Sequence, residues 1–243
     1  MYTVKRGIIM AAGIGKRLQP ITFNTPKPLI KVNGVRMIES IINGLHKNNI
    51  HEIYIVVGYL KEQFSFLIKK YKNITLIENP WYDKCNNISS LYVARNFIKN
   101  ALIIDGDQII YNDSILTNHF EKSGYNAVFI NKKTNEWLMQ TLNNKIISCS
   151  RTGGKNGWQL YSISRWTEDD GKKLKSHLEY EFEKKHNSQI YWDDIPMFLH
   201  FKDYDLNIIP MNKHDIIEID TLNELIKIDN SYYRYLNEVN NDD

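Results

Sequence analysis

The stretch Gly7-Ile8-Ile9-Met10-Ala11-Ala12-Gly13-Ile14-Gly15-Lys16-Arg17-Leu18-Gln19-Pro20 governs how the rest of the chain is read. Gly7–Ala11 is a short, continuous apolar run, which predicts a strand buried on both faces. The glycines that follow suit a tight turn whose backbone N–H groups approach a phosphate. Two familiar phosphate loops do not fit. The dinucleotide fingerprint needs a third glycine where Leu18 stands. A Walker loop ending at Gly15-Lys16 needs glycine at position 10 and Ser or Thr at 17, but Met10 and Arg17 are there. Lys5-Arg6 before the apolar run imitates a signal peptide, yet Lys16 and Arg17 interrupt it too early.

Downstream of this loop the chain alternates strands and helices. Helical spacing over Met37–Asn48, Leu60–Tyr71 and Asn87–Lys99 separates strand-like runs at Glu52–Val57, Ile74–Ile77 and Ala101–Ile104. This βαβαβ order predicts a parallel sheet wound with helices. From about residue 125 the texture changes. Ala127–Asn131, Glu136–Leu142, Lys145–Ser150 and Trp158–Ser164 read as strands, with Asn143-Asn144 as a two-residue hairpin turn. Thr167–Lys185 reads as a long helix capped by Thr167. Tyr204–Pro210 and Ile216–Ile219 are late strands, and Thr221-Leu-Asn-Glu224 has capping-box spacing. Asn240–Asp243 reads as a frayed tail. The expectation is one α/β domain over residues 1–243, with a β-rich lobe added beyond about residue 125.

Composition narrows the function classes. The 243 residues carry 31 Lys and Arg against 28 Asp and Glu, and a net charge of +3 is too small to signal nucleic-acid binding. No apolar run approaches the roughly eighteen residues of a membrane helix. Two cysteines, Cys85 and Cys149, make no disulfide framework and suit a cytoplasmic location. The seven histidines show no metal spacing and read as structural or surface residues. Aromatic residues are a generous 12%, and some of them are free for work outside the core.

Charged residues at strand ends carry the chemistry. Arg17 can fork two phosphate oxygens and Lys27 can act as a point charge. Ile103-Ile104-Asp105-Gly106-Asp107 places two acids past a strand end, the edge at which α/β sheets bind ligands. Glu218 and Asp220 share one face at period two. Carboxylates at such positions suit Mg²⁺, although Asp220 also reads as a helix cap.

Gly-x-Gly-x-Arg-Leu-x-Pro followed by Thr25-Pro26-Lys27-Pro28-Leu29 resembles the N-terminal signature of nucleotidyltransferases that activate sugar phosphates and related phosphates. Val57-Gly58-Tyr59-Leu60-Lys61-Glu62-Gln63-Phe64, Asn86-Asn87-Ile88-Ser89-Ser90-Leu91-Tyr92, Thr134-Asn135-Glu136-Trp137 and Tyr191-Trp192-Asp193-Asp194 narrow it. Together they look like bacterial CTP:phosphocholine cytidylyltransferases, from about residue 7 to 228. The resemblance implies a three-layer α/β/α fold with a mixed, mostly parallel central sheet. It implies Mg²⁺ on Asp107 and Asp220, with Glu218 as the second choice for the late ligand. Arg17 and Lys27 become catalytic. Ala11, Ala12, Gly13, Gly15, Asn86, Asn87, Ser90 and Asp105 become nucleotide contacts, with Asn87 also readable as a helix cap.

Choline presents a quaternary ammonium without N–H donors, which aromatic faces and nearby carboxylates hold best. Glu136, Trp137, Tyr191, Trp192 and Asp193 supply that chemistry, although core packing is the ordinary fate of tryptophan. Tyr59 and Gln63 are further pocket candidates or surface residues. Two departures stand out: Ile88-Ser89 lacks an aromatic residue of the family pattern, and Asp194 replaces its usual Asn. An added acid suits an ammonium with N–H donors, so 2-aminoethylphosphonate and phosphoethanolamine remain alternatives. A sugar-1-phosphate nucleotidyltransferase and an inactive nucleotide- or choline-binding module are the others. CTP and a small phosphorylated amine are the expected partners.

Overall fold

The computed structural model describes residues 1–236. Its core is a nine-stranded sheet. The strands and helices that matter here are β1 (Arg6–Ala11), α1 (Met37–Lys47), β2 (Glu52–Val57), α2 (Ser65–Lys70), β3 (Ile74–Glu78) and α3 (Ile88–Val93). They continue with β4 (Ala101–Asp105), β5 (Gln108–Ile110), β6 (Gly124–Ile130), β7 (Leu138–Leu142), β8 (Lys145–Ser150) and β9 (Gly157–Trp166). Last come α4 (Glu168–Glu179), β10 (Asn207–Pro210), β11 (Ile216–Glu218) and α5 (Leu222–Ile228).

The sheet runs in the order β6-β10-β8-β7-β9-β4-β1-β2-β3. β4, β1, β2 and β3 are parallel, as the alternating apolar runs predict. Beyond β4 the pairings are antiparallel except for the parallel β6–β10 pair, so the sheet is mixed and its continuous parallel run lies in the N-terminal half. β9 joins the halves. Its last four residues pair with β4, while Trp158 and Gln159 pair with β7 and nearly its whole length pairs with β6.

Residue alternation sets the layers. Ile9, Ala11, Ile53, Ile55 and Ile104 face the apolar stripe of α1 and α2. Ile8, Met10, Val56 and Ile103 face α3 and α4. Truncating one such buried isoleucine to alanine costs about 2–5 kcal/mol. A third cluster packs Leu18, Ile21 and Ile30 of the glycine-loop segment against Ile219, Leu222 and Leu225, joining it to α5.

Several boundaries differ from the sequence reading. The predicted Asn87–Lys99 helix is α3 followed by a separate 3₁₀ turn at Arg95–Phe97. The predicted Leu60–Tyr71 helix opens with a 3₁₀ turn before α2. α4 is capped by Thr167 as expected, but it widens into a π turn at Tyr180–Lys184. Asn143 and Asn144 both have positive φ, at 50° and 66°, as the two-residue hairpin turn requires. β7 begins at Leu138, leaving Glu136 and Trp137 on the loop before it. The predicted tail at Asn240–Asp243 lies outside the described residues. Among the described residues no helix is long and apolar enough to cross a membrane.

Candidate active site

The site forms where β1 and β4 end, because parallel strands deliver their C-terminal residues to one edge. Met10 pairs with Asp105. The Gly106 N–H then donates to the Met10 carbonyl at 2.8 Å. A Cβ at Gly106 would lie only 3.1 Å from that oxygen and 3.2 Å from Pro28, so glycine lets the two loops meet. Gly15 has φ +70°, and a Cβ there would sit 3.0 Å from Lys27 Cβ. Glycine therefore seats the Lys27 segment against the loop. Thr22 Oγ1 donates to the Gly15 carbonyl at 3.0 Å, and Tyr59 Oη donates to the Thr22 carbonyl at 2.8 Å. Gln63 Nε2 donates to the Asn24 carbonyl at 2.9 Å. Tyr59 and Gln63 thus brace the loop from behind.

The late acids arrive through strand register. β11 pairs antiparallel with β5, opposing Glu218 to Gln108, the residue after Asp107. Oxygens of Asp107, Glu218 and Asp220 consequently lie within 4.8 Å of one another. Asp220 is not the helix cap. Thr221 takes that role, with Glu224 completing a capping box, and this frees the Asp220 carboxylate for the cleft. Lys27 Nζ lies 2.6 Å from Asp107 Oδ2 and 2.8 Å from Asp220 Oδ1. Arg17 also reaches Asp220, at 2.8 Å, with 68% of its side chain exposed. Lys27, expected on the triphosphate, is thus held by the acids.

Electrostatics mark the cluster as short of positive charge. Enclosure and then the Asp107 charge push the Asp105 carboxyl up to about 7. Enclosure, followed by repulsion from Asp107, Asp220 and Asp105, holds Glu218 well above the usual carboxylate range. Burial pulls Lys27 down, but Asp107 and Asp220 more than offset it and hold the ammonium above the ordinary lysine value. Asp107 Oδ1 is buried without a hydrogen-bond partner among the described residues. Hard oxygen donors, crowded charge and one orphaned oxygen fit a divalent cation such as Mg²⁺.

Three hollows of about 300, 250 and 310 Å³ adjoin at Asp107. The first is lined by Ala11, Gly13, Gly15, Arg17, Lys27 and Asp220. The second holds Ala12, Asn86, Asn87, Ser90 and Asp105, together with Asn79, Tyr82 and Cys85. Asn79 is buried and donates to Ser89 and Ser90 at 2.9 and 3.0 Å. The sequence reading passed over Asn79, although it stands just beyond the β3 end at the same ligand-binding edge. Asn87 stands at the N-cap position of α3, but its side chain does not cap the helix: Oδ1 accepts the Trp192 N–H at 2.8 Å instead. Asn86 Nδ2 donates to the Gln189 carbonyl at 3.2 Å, so both asparagines stitch α3 to the Gln189–Trp192 turn.

The third hollow contains Glu136, Trp137, Tyr191 and Asp193, and adds Ser162 and Leu160 from β9. The Trp137 and Tyr191 rings stand 5.8 Å apart at 84°, making a right-angled aromatic corner. Trp192 does not contribute. It is 3% exposed and packs between Tyr125 and Trp166 at centroid distances of 6.0 Å. Adjacent residues of the turn point opposite ways, and Trp192 takes the core. Asp194 adds no acid to the hollow either, since Arg151 and the Tyr191 N–H occupy its carboxylate. Away from the cleft, His177, His200 and Asp203 gather metal-type donors. Their two imidazoles stack at 3.9 Å and 13°, so in-plane lone pairs cannot converge on one ion.

The Nucleotidyl transferase family matches residues 6–137. The 2-aminoethylphosphonate cytidylyltransferase of Lancefieldella rimae is 35% identical over 93% of this chain and 92% of its own length. The choline-phosphate cytidylyltransferase of Haemophilus influenzae is 38% identical over 89% and 93% respectively. The solved structure of CTP:phosphocholine cytidylyltransferase from Streptococcus pneumoniae matches with a TM-score of 0.85 at 32% identity. That match covers 96% of this chain and 98% of the other. With the family model matching residues 6–137 and relatives at 35–38% identity over about nine tenths of their own length, the chain belongs to the nucleotidyl transferase family.

Proposed function

We propose that this enzyme transfers CMP from CTP to phosphocholine, releasing CDP-choline and pyrophosphate, with Mg²⁺ as cofactor. The observation that carries the choice of acceptor is the third hollow. Its aromatic corner, flanked by Glu136 and Asp193, opens directly onto Asp107. Trimethylammonium has no N–H to donate and gains most from ring faces beside carboxylates.

The remaining residues fit the reaction. An oxygen of the acceptor phosphate attacks the α-phosphorus in line, and the bond to pyrophosphate breaks with its electron pair on the leaving oxygen. The attacking oxygen is ionised at neutral pH, so no general base is required. When bound by Asp107, Asp220 and Glu218, the divalent ion supplies charge neutralisation beside the phosphates. Gly13 and Gly15 let the backbone approach the triphosphate. Arg17, exposed and tethered only through Asp220, can swing to fork phosphate oxygens. Lys27 adds a fixed positive charge at the cluster. The Asn86–Ser90 segment lines the side of the cleft suited to cytosine and ribose.

A second reading has a specific support. The 35% identity to a 2-aminoethylphosphonate cytidylyltransferase keeps a primary ammonium acceptor in play, since Glu136 and Asp193 can accept its N–H bonds. Pyrophosphate release is the deciding assay, with each NTP against phosphocholine, phosphoethanolamine, 2-aminoethylphosphonate and glucose-1-phosphate. CTP with phosphocholine should give the highest kcat/KM. Turnover of the sugar phosphate alone would overturn the proposal, and no turnover with any pair would favour a binding module.

A further inference from the structure

The acid that departs from the family string, Asp194, lies behind the aromatic corner. It is 4% exposed. Its Oδ1 accepts Arg151 Nε at 2.7 Å and a second guanidinium nitrogen at 2.5 Å, while Oδ2 accepts the Tyr191 backbone N–H at 2.9 Å. The Arg151 guanidinium lies 4.0 Å from the Phe198 ring centroid and 5.9 Å from that of Trp137. Trp137 in turn meets Phe198 at 5.5 Å and 73°. One carboxylate thus ties Arg151, just past the end of β8, to the turn that presents Tyr191.

This places a cation behind the wall on whose front a second cation is to bind. We propose that Arg151 and Asp194 form a charge-matched positioning pair that sets affinity for a cationic acceptor. Asp194 holds the Tyr191 turn against Trp137 and cancels the guanidinium charge. The inference rests on the reading that the acceptor carries an ammonium group. An unmatched guanidinium beside Trp137 would oppose that group through a partly solvated medium. Because 48% of the Arg151 side chain is exposed, screening limits the penalty to about fivefold in affinity.

The test uses the full chain at saturating CTP and Mg²⁺. It compares phosphocholine with 3,3-dimethylbutyl phosphate, whose tert-butyl group has the shape of trimethylammonium without its charge. KM is read for each, or Ki where the analogue is not turned over. Asp194→Asn keeps an acceptor for the Tyr191 N–H but leaves Arg151 unmatched. It should raise the phosphocholine KM about fivefold, leave kcat and the CTP KM within twofold, and leave the uncharged analogue unaffected. Adding Arg151→Met to Asp194→Asn should return the phosphocholine KM to within about twofold of the parent. Equal losses for both acceptors, or a double variant worse than Asp194→Asn, would overturn the pair. Parent enzyme that ignores phosphocholine but accepts 2-aminoethylphosphonate sinks only the choline reading. The same ratio is then measured against propylphosphonate. A parent that accepts only uncharged phosphates removes the pair's role as well.

Discussion

Lys27 Nζ and Asp107 Oδ2 lie 2.6 Å apart, and the same ammonium reaches Asp220 at 2.8 Å. The lysine therefore contacts the same carboxylates that suit a divalent ion. Lys27→Met should lower kcat at least about 100-fold, the usual cost of removing a preorganised charge from phosphoryl-type chemistry. The same variant should bind Mg²⁺ more tightly in the absence of nucleotide, as read by titration calorimetry. Weaker Mg²⁺ binding would instead make Lys27 a brace for the acids, and unchanged turnover would remove it from the mechanism.

Glu224 fixes Asp220 through its backbone. Its Oε2 accepts the backbone N–H groups of both Asp220 and Thr221 at 2.9 Å. Glu224→Ala should cost about 1 kcal/mol of stability through the lost cap. Beyond that, Mg²⁺ affinity should fall several-fold because the Asp220 backbone loses its anchor. Metal titration at a temperature well below the melting transition separates the two effects. Unchanged affinity would confine Glu224 to stability.

Much of this site was legible because its parts follow continuous apolar runs, whose period and ends are local properties. The glycine loop, Asp105 and Asp107 all lie directly after such runs. The Asp220 assignment needed more: the capping-box spacing offered Thr221 as the cap, but only the β11–β5 register brings Asp220 to Asp107. The misreadings involve partners distant in sequence. Asp194 looked like an added acid for substrate, but Arg151, 43 residues away, consumes it. Tyr191 and Trp192 carry similar aromatic chemistry, and no periodicity inside a turn says which one faces inward.

That difference gives a direct comparison. Trp192 is 3% exposed, and Tyr191 is 47% exposed on the aromatic corner. Trp192→Ala should cost about 3–5 kcal/mol and show mainly as a lowered Tm. Tyr191→Ala should leave Tm nearly unchanged while raising the KM for phosphocholine about tenfold and leaving that for CTP alone; Trp137→Ala should raise the same KM but also lower Tm, because its ring packs on Phe198. A Tyr191→Ala enzyme with unaltered acceptor KM would remove the corner from recognition.

Glu39 offers a pH test far from the acid cluster. Its carboxylate is buried and accepts from Lys70 at 2.5 Å, Tyr71 at 3.1 Å and Arg36 at 3.3 Å. Burial alone would raise its pKa, but the Lys70 and Tyr71 hydrogen bonds and the Lys70 charge outweigh it, and the folded value falls below the usual one. The unfolded chain therefore binds the proton more readily. The contribution to stability is complete above the unfolded pKa of about 4.3 and is lost as pH falls through the depressed folded value. Because half of the Lys70 side chain is in water, the contribution is about 1 kcal/mol. Glu39→Gln should thus be less stable than the parent by that amount at pH 7, and the gap should close as pH falls toward 3. Urea denaturation at pH 7, 5, 4 and 3 measures this, and a gap that stays constant across the series would show that Glu39 acts through packing rather than charge.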